Sequence, residues 1–136
     1  MEIEIQPNQI RLVVLAVVLI LFITACSYGF LAGRSLARSE LAVSQTQYIM
    51  RGLNYFFSDQ DRYPGEAEFA DPAVMRTYLS AVPVAQVFSK ECPNPYTYET
   101  FDRKSFTFTF CVSRGFDAWT PGEHSTTEKD IATWLQ

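Results

Sequence analysis

The run LVVLAVVLILFITACSYGFLAG, residues 12–33, holds 22 residues without a charge between Arg11 and Arg34. At about 1.5 Å per residue it extends ~33 Å as a helix, against about 30 Å of hydrocarbon in a bilayer. A chain of 136 residues has too little other protein to wrap a helix that is apolar all round. A transmembrane helix over 12–34 is therefore expected, preceded by a short tail, 1–11, on the cytoplasmic side. Gly29 and Gly33 stand four apart and place small residues on one face, where two helices can approach closely. They read equally well as two glycines tolerated near a helix end.

Beyond Arg34 the helical pattern continues. Ala37, Leu41, Tyr48, Ile49, Leu53, Phe56 and Phe57 recur mostly at separations of three, four and seven, with polar residues between them. That spacing predicts an amphipathic continuation over 35–57 with one apolar face, interrupted only weakly by Gly52. Asp59, Asp61, Pro64 and Gly65 bring turn chemistry that ends it. Asp71-Pro72 is an N-cap followed by proline at the first helical position, opening a short helix to about Ser80 whose inward face is Met75, Tyr78 and Leu79.

The C-terminal third reads as strands. Residues 96–100 alternate aromatic and polar, and 105–112 place Phe106, Phe108, Phe110 and Val112 on one side. A third short strand is expected around 124–126. The large apolar surface available to cover this sheet is the second half of the long helix. The expected fold class is α+β: a long N-terminal helix, transmembrane then amphipathic, packed on a small antiparallel sheet, with 35–136 as the globular domain.

Cys26 lies within the apolar run, which leaves Cys92 and Cys111 as a pair in the globular part. A disulfide between them closes a loop of about 20 residues, worth on the order of 3 kcal/mol by loop entropy, and small exported domains use such staples. The alternative is two reduced, buried cysteines. On the disulfide reading the domain is extracytoplasmic and the chain a single-pass protein of the cell (inner) membrane. Arg11 on one flank and Arg34 with Arg38 on the other do not set the orientation.

The sequence lacks the signatures of several chemistries. The net charge is −4 and the basic residues are scattered, so the electrostatic footprint of a nucleic-acid binder is missing. His124, the one histidine, falls on a predicted edge strand and is expected to be solvated. Asp59 and Asp61 read as turn residues before they read as a calcium loop. Asp117, Glu123 and Asp130 match no metal-binding spacing. Neither a phosphate loop nor a nucleophile elbow occurs. No enzyme activity, cofactor, metal or small-molecule substrate is expected. The segment Ile23-Thr24-Ala25-Cys26 resembles a lipoprotein cleavage box, but the acidic tail and the uncharged residues 27–33 favour Cys26 as a small apolar helix residue.

Taken in order, these pieces resemble the type IV pilin-like proteins, including the pseudopilins of type II secretion. The resemblance lies in the long helix, the Asp61-Arg62-Tyr63-Pro64 exit, the segment 78–83 leading into the sheet, Asn94-Pro95-Tyr96-Thr97-Tyr98 as first strand, Phe106-Thr107-Phe108-Thr109-Phe110-Cys111 as second, and 122–126 as the last. It implies a structural or assembly subunit of a pilus or secretion machine that associates with itself or with similar subunits. The N-terminus departs from that family: Gly29-Phe30 lies at the far end of the apolar run, and Arg34 stands where the family carries a glutamate. No prepilin peptidase site is present, which implies a permanent anchor. The second expectation is an anchored or lipidated extracytoplasmic binding module.

Overall fold

In the computed structural model, residues 7–81 and 96–136 are described, with side chains from residue 10 onward. The chain falls into two units, Met1–Arg34 and Ser35–Gln136. Helix α1, Pro7–Gln60, runs through the described part of the first and supplies the first element of the second. It begins earlier and ends later than the apolar pattern predicts.

In the first unit every residue from Ile10 to Leu31 is exposed. Its serine and threonine beyond the midpoint bond to the helix itself. Thr24 donates to the carbonyls of Ile20 and Leu21 at 3.0 and 2.9 Å, and Ser27 to that of Ile23 at 2.8 Å. A helix whose hydroxyls bond inward leaves little that asks for water.

In the second unit the sequence of elements after α1 is α2 (Glu66–Ala70), α3 (Pro72–Met75), β1 (Thr97–Thr100), β2 (Phe106–Val112), β3 (Gly122–Thr127), a 3-10 turn at Glu128–Asp130 and α4 (Ile131–Trp134). The strands form an antiparallel meander in the order β1-β2-β3, with Tyr98 opposite Phe108 and Phe110 opposite His124. Period-two alternation puts Phe106, Phe108, Phe110 and Val112 on one face of β2. All four are buried against Ile49, Met50, Leu53 and Phe56 of α1. The expected α+β arrangement is thus the observed one.

The details differ in informative ways. Of the face predicted for α1, Ile49, Leu53 and Phe56 are buried and Tyr48 and Phe57 pack against the core, whereas Ala37 and Leu41 are exposed. Ahead of Ile49 the buried stripe runs instead through Ser39 and Thr46, both fully buried, and Met50 joins it. Spacings of seven and three keep these residues in one stripe. Two hydroxyls stand where an apolar pattern looks for aliphatic side chains. Thr46 donates to the Ala42 carbonyl at 2.8 Å. Ser39 accepts from the Arg114 N–H at 2.9 Å, and its oxygen lies 3.2 Å from that of Ser113, both hydroxyls being within bonding distance of the Ser35 carbonyl.

Helix α1 ends at Asp61, whose φ of 53° is the left-handed conformation that a short polar side chain tolerates and whose N–H donates to the Phe57 carbonyl at 2.8 Å. The predicted N-cap holds: Asp71 Oδ1 accepts from the Ala73 N–H at 2.8 Å, with Pro72 at the first helical position. The helix it opens stops at Met75 rather than near Ser80, and the chain turns through 76–78 so that Leu79 packs inward beside Met75. Helix α2 is not marked by any apolar periodicity. It is held by Glu68, which accepts from the Gly65 N–H at 2.8 Å, and it contributes Phe69, stacked on Tyr98 at 4.3 Å.

Candidate functional site

Two surfaces stand out among the described residues, one in each unit. The first is the apolar surface of α1 between Ile10 and Leu31. Its most apolar 18-residue window has a mean hydropathy of 2.7, and none of that window is buried within the protein. A core helix of a water-soluble domain of such composition hides most of its surface. This helix is long and apolar enough to cross a membrane. The large side chains along it, from Leu12 to Leu31, are each at least half exposed. At its end the Arg34 guanidinium lies over the Phe30 ring, 4.9 Å from the centroid, an arrangement in which a cation covers apolar surface while its head stays available to water or headgroups.

Gly29 and Gly33 lie on this helix with open space around them: a β-carbon built at either meets nothing within 4 Å. Among the described residues nothing packs on either glycine. Cys26 is exposed on the same helix and is a free cysteine.

The residues singled out in the globular part scatter. Cys111 is nearly buried on β2 opposite Glu123, while Cys92 lies outside the described residues, and so does the bridge expected between them. Asp59 accepts from the Tyr78 hydroxyl at 2.5 Å and from Gln60 at 2.8 Å, and these bonds lower its pKa. Asp61 is exposed, and its carbonyl takes the Lys104 ammonium at 2.9 Å. Both therefore act at the helix exit. Asp117 sits at a left-handed turn position with φ 47°. Asp130 accepts from the Thr127 N–H at 2.9 Å and lies below the usual carboxylate range chiefly for that reason. Among the described residues no three His, Cys, Asp or Glu side chains converge as metal ligands do.

The most strongly perturbed carboxylate is one that sequence reasoning passes over. Glu68 takes both guanidinium nitrogens of Arg62, at 2.7 and 2.8 Å, together with the Gly65 N–H. The Arg62 hydrogen bonds come first and the Gly65 bond second in holding its carboxyl down to about 2. The group clamps the helix exit to α2.

The second surface is an aromatic-lined pocket of about 340 Å³ at the β3 edge. It corrects the expectation of a solvated His124. That ring is half-buried, stacked 5.6 Å from Phe110 and set edge-on to Trp119 at 5.1 Å, with Nε2 2.7 Å from the Thr120 carbonyl oxygen. Trp119 and Trp134, the two tryptophans of the chain, stack on one another at 5.5 Å. Sequence reasoning missed the cluster because its members come from β2, a turn, β3 and α4, a distance along the chain that periodicity does not link.

Compared with protein-family models, curated proteins and solved structures, the chain finds no match.

Proposed function

We propose that the chain is a membrane-anchored, pilin-like structural or assembly subunit that serves a type IV pilus or a type II secretion-like system. The observation that carries this reading is the 18-residue window of hydropathy 2.7 with no buried residue. Such a surface needs a bilayer or other helices to cover it, and the open Gly29–Gly33 patch offers a close-packing face to a similar helix. The three-stranded meander folded over the amphipathic half of α1 supports the resemblance to pilin-like subunits. In this reading the Ser35–Gln136 unit is extracytoplasmic and stapled by Cys92 and Cys111, and the anchor is retained.

The test is performed on the full chain in membranes. In a Cys26→Ser background, Gly29→Cys and Gly33→Cys should give oxidised dimers, while cysteines on the opposite helix face, at Leu31 or Ile20, should not. Equal crosslinking at every position, or release of the protein by carbonate, overturns the subunit reading. Intact mass of the extracted protein adds two checks. Loss of two hydrogens reversible by reductant supports the Cys92–Cys111 bridge, and a diacylglycerol adduct on a chain beginning at Cys26 would replace the subunit reading with a lipoprotein.

A further inference from the structure

We infer that the pocket formed by Phe110, Trp119, His124 and Trp134 binds a saccharide, its pyranose face laid on the tryptophans. The inference is independent of the subunit reading.

The pocket is built rather than incidental. Trp119 is fixed by a tight turn in which Phe116 and Trp119 exchange backbone hydrogen bonds at 3.0 and 2.8 Å. Trp134 is fixed at both ends. Its carbonyl accepts from Gln47 of α1 at 3.0 Å, and its indole N–H donates to Thr126 Oγ1 at 2.8 Å. Phe110 is buried and forms the floor, edge-on to Trp119 at 5.4 Å and to Trp134 at 5.7 Å. The two tryptophans stay half-exposed although a large apolar core lies beside them. Rings locked in place and left open to solvent are a preorganised surface, and locking is what lowers the ordering cost of binding.

The arrangement of the rings selects the ligand class. A cage for a quaternary ammonium needs aromatic faces that surround an empty point, each within about 6 Å of the cation. Here the rings contact one another at 5.1 to 5.7 Å and leave no empty point between them. The half-exposed parts of Trp119 and Trp134 are then open to a ligand that is apolar on its face and polar on its edge. The C–H bonds of a pyranose carry partial positive charge toward the negative face of an indole, while its equatorial hydroxyls reach the rim. That rim holds Asp130 and Thr133. A carboxylate with a hydroxyl accepts and donates in the plane of a sugar ring. Among the described residues no Lys or Arg lines the pocket, which speaks against a phosphate-bearing base, the other flat ligand that stacks on tryptophan. The volume of about 340 Å³ falls at the small end of ligand pockets, which run from roughly 300 to 1,000 Å³, and suits one or two sugar rings rather than a long peptide.

The test uses the full chain in a detergent whose headgroup is not a sugar, titrated with the methyl glycosides of glucose, galactose and N-acetylglucosamine. Tryptophan fluorescence and saturation-transfer NMR report binding. A saturable response to at least one glycoside is expected, with saturation transfer strongest at ring C–H protons. Trp119→Ala should weaken it about tenfold, the size of a lost aromatic contact. Thr133→Arg, a substitution at an exposed position on the pocket wall, should block it with no change in melting temperature, which separates loss of binding from loss of folding. No saturable response to any glycoside overturns the inference. So does a response that survives both substitutions, or saturation by tetramethylammonium in place of the glycosides.

Discussion

Leu79 lies directly on the backbone of Gly52: a β-carbon added to that glycine would sit 2.3 Å from Leu79 Cδ2 and 2.5 Å from its Cγ. Both residues are buried, so Leu79 has nowhere to swing. A glycine within a helix ordinarily costs up to about 1 kcal/mol relative to alanine. Here it is retained because the segment after α3 closes on α1 at that point. Gly52→Ala should therefore destabilise the protein despite its gain in helix propensity, by up to about 2 kcal/mol once that gain is set against overpacking of roughly 1–3 kcal/mol. In the Gly52→Ala, Leu79→Ala double variant the two losses should fall short of additive, because the smaller side chain makes room. Chemical unfolding of the four proteins measures the cycle.

Ser39 supplies the second test of the α1 face. Its hydroxyl is fully buried and accepts the Arg114 N–H at 2.9 Å. Ser39→Val matches an aliphatic core in kind but removes the acceptor. The expected loss is about 1–3 kcal/mol, the cost of leaving a buried donor unmet. Ser39→Thr, which keeps the oxygen, should lose less. Equal stability of the valine variant would show that the apolar reading of this face was sufficient.

Tyr98 joins the sheet to the helix exit. Its hydroxyl donates to the Pro64 carbonyl at 2.8 Å and is buried, and burial pushes its pKa up. Tyr98→Phe keeps the stack on Phe69 and deletes only that bond. A loss of about 1 kcal/mol is expected, read as a fall in melting temperature. Wild-type Tyr98 should also resist ionisation in an alkaline absorbance titration long after the exposed tyrosines have titrated.

Much of this architecture was legible in local pattern. The apolar run, the alternating phenylalanines at 106, 108 and 110, and the Asp71-Pro72 cap each state their structure over a few residues. What was not legible depends on partners far along the chain. Ser39 looks like a surface residue until Ser113 and Arg114 arrive beside it. Gly52 looks like a weakness until Leu79 lies on it. Glu68 looks like an ordinary carboxylate until Arg62 turns back to meet it. The aromatic pocket was invisible for the same reason: Trp119, His124 and Trp134 belong to three elements, and the fold alone brings them together.

The Glu68 clamp predicts a particular pH dependence. Its folded carboxyl titrates at about 2, below the ordinary 4.5, so the unfolded chain binds the proton first as pH falls. The stability it confers is therefore complete above pH 4.5, declines between 4.5 and 2, and is absent below. With both side chains roughly a third exposed, the contribution is small and salt-sensitive. Glu68→Gln should lower the melting temperature at pH 6, and the difference should close as pH approaches 2. A difference that persisted there would place the effect in packing rather than charge.

The last test turns on opposite signs. Leu19 is exposed on α1 in the first unit, and Tyr55 is exposed on the same helix in the second. Were both facing water, a lysine at either position would be neutral or would improve solubility, since surface substitutions away from special features stay within about 0.5 kcal/mol. In a bilayer the two part company. Lysine near the centre of a membrane-spanning helix costs about 2.5–3.5 kcal/mol on insertion scales, whereas Tyr55→Lys stays outside the hydrocarbon and costs nothing there. Leu19→Lys should therefore reduce the carbonate-resistant membrane fraction while Tyr55→Lys leaves it unchanged. Fractionation of the two variants beside the wild type reads the answer directly. Equal behaviour of the pair would mean that the apolar surface of α1 is covered by something other than lipid.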